Sequence, residues 1–443
     1  MTRDAARYGV ASLGECTIAS PLGLSSASGE ARSRYVTEGT RVLDQVELAP
    51  GASVDVACAL EKAGPREQIY FDPKRVRAGI VTSGGLCPGI NNVIRSIVFA
   101  LVHTYGIASV IGFRFGFAGL DPGSGVPAPI ALGTNEVRDV HRLGGTILGT
   151  SRGAHAPEVM VDTLVAHGID LLFAIGGDGT MSGAHAIARE IARRGARIGV
   201  IGVPKTIDND IAFVDKTFGF ETAVAMARVA VDAAHTEALS VERGVGLVKL
   251  MGREAGFLAA HATMASHDVN VCLVPEVPFR LDGPAGLFHH LEWRLRERRH
   301  AVVVVAEGCA VELLRERGAD VPRDPSGNLC FQTAELDVGT YLKRAIARHF
   351  DERRLPATIK YIDPSYMLRG VPAGAIDAEF CADLARYAVH AAMAGKSDMM
   401  IGRLHRAFTH VPLPLVLSET KRIDPDGALW LAVTESTGQP RFV

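Results

Sequence analysis

Two short acidic segments carry the clearest chemistry in this chain. The first, Gly176-Gly177-Asp178-Gly179-Thr180, sets one carboxylate among three glycines. Glycines let backbone N–H groups approach a phosphate, but a carboxylate at such a turn repels phosphate charge unless a divalent cation lies between them. Mg2+ bridging Asp178 and a nucleotide resolves the conflict; an aspartate that caps its helix is the alternative. At 208 minus 178, or 30, positions further on, Pro204-Lys205-Thr206-Ile207-Asp208-Asn209-Asp210 gathers two acids and an amide behind an apolar run. Strand ends seldom collect that polarity without a ligand. One carboxylate can take the proton from an attacking hydroxyl while its neighbour organises a metal or its water shell.

Other residues could complete such a centre. Ser83-Gly84-Gly85-Leu86-Cys87-Pro88-Gly89 follows an apolar run and precedes a helical pattern. It suits a phosphate at a helix start, although chain reversal alone also explains it. Arg152, in Gly149-Thr150-Ser151-Arg152-Gly153, and Arg253, in Met251-Gly252-Arg253, stand beside glycines, where a guanidinium can reach a transferring phosphoryl group. Glu307 ends the apolar run Ala301 to Ala306, and an acid there can bind sugar hydroxyls. Lys360, Tyr366 and Arg369, within ten residues of one another, can hold a sugar phosphate.

The elements that must position these residues alternate. Ala78 to Thr82, Leu171 to Ile175, Ile198 to Val203, Gly246 to Leu250 and Ala301 to Ala306 read as buried strands. Between them come helical patterns: Ile90 to Val102, Met181 to Arg194, Glu254 to Ser266, and the longer Glu221 to Ala238 and Ala375 to Ala394. This is the pattern of an α/β fold, with mainly parallel sheets covered by helices on both faces. Ligands there gather at loops leaving the carboxyl ends of strands. The regular pattern starts near Val76; residues 1–75, with a serine-rich piece at Ser25, Ser26 and Ser28, read as an N-terminal extension.

Bulk properties exclude other classes. The 443 residues, 47% hydrophobic, can bury a large core in two or three domains. Lys plus Arg number 47 against 49 for Asp plus Glu, so no basic field exists to hold a nucleic acid. The N-terminus has no continuous apolar stretch, and the longest such run in the chain is far too short for a bilayer, so a cytoplasmic protein without a membrane partner is expected. Seven scattered cysteines, Cys16, Cys58, Cys87, Cys272, Cys309, Cys330 and Cys381, read as reduced thiols. Gly395-Lys396-Ser397 mimics the tail of a P-loop, but His390 stands where that motif needs glycine. His289-His290 reads as a helix face rather than a metal site, and the charges from Arg294 to His300 as an exposed helix end.

Together these motifs resemble the 6-phosphofructokinases, from Gln68-Ile69-Tyr70-Phe71-Asp72-Pro73 almost to the C-terminus. Gly84-Gly85-Leu86-Cys87-Pro88-Gly89, Val248-Lys249-Leu250-Met251-Gly252-Arg253 and Tyr361-Ile362-Asp363-Pro364-Ser365-Tyr366 are similar to the longer branch found in plants, trypanosomatids and some bacteria; Ser20-Pro21-Leu22 also has a counterpart there. The resemblance implies two doubly wound domains with the active site in the cleft between them. Residues 76–219 plus 368–410 would form the phosphoryl-donor domain and 220–367 plus 411–443 the sugar-phosphate domain.

By the same resemblance Asp208 is the base for the 1-hydroxyl of fructose 6-phosphate, Asp178 holds Mg2+, and Asp210 supports that site. Gly85, Arg152, Gly153, Gly177, Asp178, Gly179 and Thr180 would bind ATP. Thr206, Ile207, Asp208, Met251, Gly252, Arg253, Glu307, Lys360, Tyr366 and Arg369 would bind the sugar phosphate, with Arg253 also meeting charge developing in transfer. A glycolytic, allosteric homo-oligomer, a tetramer in most of the family, is implied. Lys205 before the Thr-Ile-Asp motif and Tyr366 in place of histidine depart from the short bacterial pattern but are shared by the longer branch. A cross-subunit arginine has no clear match, since Gly244 aligns there with Arg243 beside it.

Gly179 decides the donor. Pyrophosphate-dependent relatives usually carry aspartate there, where it would crowd the α-phosphate of ATP. Lys205 also occurs in the pyrophosphate enzymes, but ATP-dependent members of the longer branch combine glycine with lysine, as here. ATP is therefore expected and pyrophosphate is the alternative. A NAD or lipid kinase sharing the Gly-Gly-Asp-Gly-Thr loop, and a nucleotide sensor without catalysis, are competing readings.

Overall fold

The computed structural model describes residues 5–27, 29–30, 32–51, 53–315 and 337–442, so Ser28 and Cys330 lie outside the described residues. The chain forms two units. Unit 1 comprises Met1–Thr206, Ile211–Gly219 and Val371–Thr420; unit 2 comprises Ile207–Asp210, Phe220–Gly370 and Lys421–Val443. Besides residues 368–370, which group with unit 2 rather than with the donor domain, three differences from the expected division have local causes. The strand Ala407–Pro412 folds back antiparallel on Met399–Leu404, which keeps residues 411–420 in unit 1. The strand Ala59–Lys62 pairs with Ala407–Pro412, so part of the expected extension belongs to the sheet of unit 1. Ile207–Asp210 groups with unit 2, where the Asp210 carbonyl accepts from the Lys421 amide at 2.9 Å.

Among the described residues, unit 1 holds a nine-stranded sheet. Its centre is parallel, in the order Met399–Leu404, Gly199–Pro204, Leu171–Gly176, Arg77–Thr82, Ser109–Phe113. Every residue of Leu171–Gly176 and of Gly199–Pro204 is buried. Successive strand residues face opposite sides, so burial at every position means that both faces are covered. The apolar stripe Ile90, Val93, Ile94, Ile97 and Val98 buries one face of the helix Ile90–Phe99. Leu101 and Val102, expected to continue it, sit in a π-helical turn, Ala100–Thr104. Cys16, Tyr35, Arg66 and Gln68 from the N-terminal part, with Ala394 and Lys396, line a cavity of about 520 Å3. There the buried Arg66 donates to Glu61 at 2.8 Å, and Lys396 pairs with the same carboxylate at 2.9 Å.

Unit 2 holds a four-stranded parallel sheet among the described residues, in the order Val271–Leu273, His300–Ala306, Gly244–Leu250, Thr358–Ile362. All of Gly244–Leu250 is buried, whereas Thr358–Ile362 is a half-exposed edge. The helices Phe220–Leu239 and Phe257–Ser266 pack on this sheet and on each other. Leu287–Arg298 and Val338–Glu352 do the same as a second pair. The helix expected from Glu254 begins only at Phe257, because the Gly256 amide is held by the Glu276 carboxylate at 2.9 Å. Among the described residues no helix is long and apolar enough to cross a membrane.

Phe173 is fully buried in a central strand of unit 1. Phe173→Ala should lower stability by about 3–5 kcal/mol, the usual cost of removing a core aromatic ring, seen as an earlier midpoint in denaturant titration followed by circular dichroism.

Candidate active site

In unit 1 the parallel register brings three loops to one edge of the sheet. Thr82 lies opposite Ile175, and Gly176 opposite Pro204, so the chain leaves all three strands side by side. The Ser83 amide donates to the Ile175 carbonyl at 3.0 Å, and the Lys205 amide to Gly176 at 2.9 Å. Lys205 itself is buried and donates from Nζ to the Gly85 carbonyl at 2.5 Å. The segment carrying Arg152 and Gly153 is stitched to the first loop: the Gly84 amide donates to the Ser151 carbonyl at 3.1 Å, and Thr150 Oγ1 to the Gly84 carbonyl at 2.5 Å. Gly85, Arg152, Gly153, Gly177, Asp178, Gly179 and Thr180 thus cluster around adjacent strand ends.

The helix Asp178–Arg193 starts there, with Gly177 as its N-cap residue. Asp178 is therefore the first helical residue, exposed, with exposed Gly179 next to it and Thr180 buried. Helix N–H groups at such a start are oriented toward an anion. An exposed carboxylate beside them offers the oxygen donor that magnesium takes, one protein ligand together with phosphate oxygens and water. The residues present fit a nucleotide-bound Mg2+. Cys87, in the first loop, is buried and donates its S–H to the Phe218 carbonyl at 3.1 Å, a packing role.

The remaining acidic and basic residues meet within unit 2. Leu250 and Ala306 are opposite one another in adjacent parallel strands, so Met251 and Glu307 leave the sheet together. The Gly308 amide then donates to the Gly252 carbonyl at 2.9 Å. A β-carbon on Gly308 would stand 2.2 Å from the Arg253 carbonyl oxygen, so glycine is required for this approach. The result puts Arg253 Nε 3.5 Å from Glu307 Oε1. Among the described residues that buried Glu307 oxygen has no hydrogen-bond partner of good geometry besides its ion pair with Arg253, an acceptor suited to a ligand hydroxyl.

Asp208 is buried at 9% exposure. Burial above all, and then the charges of Asp210 and Glu307, push its carboxyl well above the ordinary aspartate range; Arg253 and Arg369 pull the other way. Burial likewise raises Glu307, against the pull of Arg253 and Lys249. The Thr206–Asp210 turn holds Asn209 in the left-handed region, φ 55°, which asparagine tolerates better than most residues. Lys421 fastens that turn, donating from Nζ to Asn209 Oδ1 at 3.0 Å and from its amide to the Asp210 carbonyl. Nothing local marks Lys421 in the sequence, where it lies more than 200 residues from its partners.

The other expected sugar-phosphate residues divide. Arg369 ends the short helix Ser365–Arg369, its guanidinium 5.0 Å above the ring of Tyr366, which is 71% exposed. Lys360 is not brought to the cluster. It lies opposite Gly246, four residues before the strand end at Leu250, and pairs with Glu237 at 3.1 Å. The buried cation on this side is instead Lys249, 2.5 Å from Asp337 and 2.7 Å from Asp363. A buried carboxylate of raised basicity with two guanidinium groups facing it can accept a hydroxyl proton beside a bound phosphate.

A family model described as phosphofructokinase matches residues 77–392. The chain is 46% identical over 442 residues to an ATP-dependent 6-phosphofructokinase of Borreliella burgdorferi, covering 98% of this chain and 97% of that protein. It is 42% identical over 429 residues to ATP-dependent 6-phosphofructokinase 1 of Arabidopsis thaliana, covering 96% and 88%. Among solved structures, a pyrophosphate-dependent phosphofructokinase from Marinobacter aquaeolei superposes with a TM-score of 0.64 at 22% identity, over 79% of this chain and 86% of that one, a likeness of fold.

The charges around Asp208 make its titration testable without any turnover. Asp210→Asn removes a neighbouring negative charge, so the Asp208 carboxyl should ionise at lower pH; Arg253→Met removes a positive one, so it should ionise at higher pH. Infrared difference titration, with the band assigned by its loss in Asp208→Asn, checks both directions.

Proposed function

The chain belongs to the phosphofructokinase family, and from that premise we propose that it transfers the γ-phosphoryl group of ATP to the 1-hydroxyl of fructose 6-phosphate, giving fructose 1,6-bisphosphate and ADP. The single observation that carries the mechanism is Asp208, a buried carboxylate whose affinity for a proton is raised by burial and by Asp210 and Glu307. A carboxylate tuned in this way accepts the 1-hydroxyl proton as the oxygen attacks the γ-phosphorus, the bond to the β,γ-bridging oxygen breaks, and ADP leaves. Arg253 offsets negative charge on the transferring group, and Glu307 receives a sugar hydroxyl. Arg369 and Tyr366 hold the 6-phosphate and sugar; Thr206, Ile207, Met251 and Gly252 contribute shape. Lys360, paired with Glu237, requires a change of partner to join them.

Unit 1 is assigned the donor. Gly85, Gly177, Gly179 and Thr180 offer close backbone approach and Arg152 a cation, while Asp178 would hold Mg2+. Mg2+ held there would supply neutralisation of charge on the donor phosphates. Unit 2 is assigned the sugar phosphate. Phosphoryl transfer of this kind needs no covalent enzyme intermediate, because positioning and fixed charge supply most of the acceleration. A homotetramer working in glycolysis, with allosteric control, is the setting this reading implies.

Two outcomes test it. Asp208→Ala should still bind fructose 6-phosphate while kcat falls by about 10²–10⁴-fold, the range for loss of a general base; near-normal turnover in a coupled aldolase assay would remove Asp208 from its role. The wild-type protein should turn over with ATP and not with pyrophosphate, and Gly179→Asp should cut ATP turnover by at least about tenfold through crowding and repulsion at the donor phosphates. Use of pyrophosphate alone would reverse the donor assignment.

A further inference from the structure

A lysine in a fully buried strand is costly unless its ammonium is paired. Lys249 is 7% exposed, next to last in Gly244–Leu250, and engages two carboxylates: Asp337 Oδ2 at 2.5 Å and Asp363 Oδ2 at 2.7 Å. Each carboxylate organises a second element. Asp337 accepts from the Thr340 amide at 2.5 Å, capping the helix Val338–Glu352, and from the Tyr361 hydroxyl at 3.0 Å. Asp363 accepts from the Ser365 amide at 3.1 Å and from the Ser365 hydroxyl, shaping the turn that opens the helix Ser365–Arg369.

One ammonium therefore ties the segments that leave two adjacent strands of unit 2. On one side is the strand that runs directly into Met251-Gly252-Arg253; on the other is the turn that runs directly into Tyr366 and Arg369. Arg253 and Arg369 both act on Asp208, so their spacing sets the field at that carboxylate. Chain connectivity alone does not fix that spacing, since Thr358–Ile362 is an edge strand whose register with Gly244–Leu250 ends at Ile362, before Asp363.

We propose that Lys249 is a positioning residue for the sugar phosphate, holding the Asp363 turn and hence Arg369 at a fixed distance from Arg253 and Glu307. Two of its three N–H donors already serve Asp337 and Asp363, so its role is to position the turn. Its charge also faces Glu307, which Arg253 and Asp363 face as well. The inference rests on the assignment of unit 2 to the sugar phosphate, and it predicts an effect confined to that substrate.

The test is steady-state kinetics of the full chain with fructose 6-phosphate and ATP varied separately. Lys249→Met should raise KM for fructose 6-phosphate by about tenfold or more, lower kcat less, and leave KM for ATP within about twofold. Removing one partner of a buried ion pair can also unfold a protein, so Asp363→Asn is the second variant. It loosens the turn while Lys249 keeps Asp337, and should raise the same KM in the same selective way. Wild-type KM for fructose 6-phosphate in Asp363→Asn, or equal changes for both substrates, would overturn the proposal. A wild-type protein that does not phosphorylate fructose 6-phosphate would instead remove the functional reading on which the proposal stands.

Discussion

The burial of Asp208 is the constraint from which the rest of unit 2 follows. An aspartate with so little water around it can ionise only if fixed charges and dipoles replace that water. Arg253 and Arg369 are those charges, and each is placed by a separate strand end. Arg253 depends on the Leu250–Ala306 register and on the contact of Gly308 with Gly252. Arg369 depends on the turn at Asp363. A shift of about 1 Å in either would change the field more than any surface substitution, because Coulomb energies at these separations vary steeply in a medium of low polarity.

The sheets explain why the chemistry gathers where it does. Strands such as Leu171–Gly176 and Gly244–Leu250 are buried along their whole length, so a polar side chain within them must bring its own partner. Lys249 does so and is the exception that ties two loops together. Elsewhere polar residues are displaced to the strand ends, where parallel register delivers several loops to one edge. Gly85 and Asp178 reach unit 1's edge by this route, with Arg152 stitched to the first of these loops, and Met251, Arg253 and Glu307 reach unit 2's.

This logic made much of the molecule legible from residues alone. The apolar runs around Leu171, Ile198 and Ala301 are short, bounded by glycine or polar residues, and became strands within a residue or two. Most motif residues of unit 1 cluster because they follow such runs; Arg152 and Gly153 do not, and are brought in by the hydrogen bonds of Thr150 and Ser151 to Gly84. What could not be read depends on long-range pairing. The hairpin that keeps residues 411–420 in unit 1 and the strand Ala59–Lys62 that joins it are edge pairings with no strong periodicity. Lys421 is a lone lysine until the fold sets it against Asn209. Lys360 shows the converse: proximity in sequence to Tyr366 and Arg369 suggested a shared ligand, but it lies inside its strand and faces Glu237.

The same charge arrangement links substrate binding to basicity. Around Asp208 stand Asp210 and Glu307, both negative when ionised, against Arg253 and Arg369, both positive. On the proposed function, a sugar phosphate carried by those arginines would place further negative charge against them and offset part of their downward pull on the Asp208 carboxyl. The proton affinity of Asp208 would then rise in such a complex relative to the free protein, the sign expected when a cation's field is screened by an added anion. A carboxylate that becomes more basic as the phosphate arrives is better matched to taking a hydroxyl proton. On that reading, binding of the non-reacting phosphate would be converted into reactivity at Asp208 through two guanidinium groups, so their relative placement would matter as well as the strength of either contact.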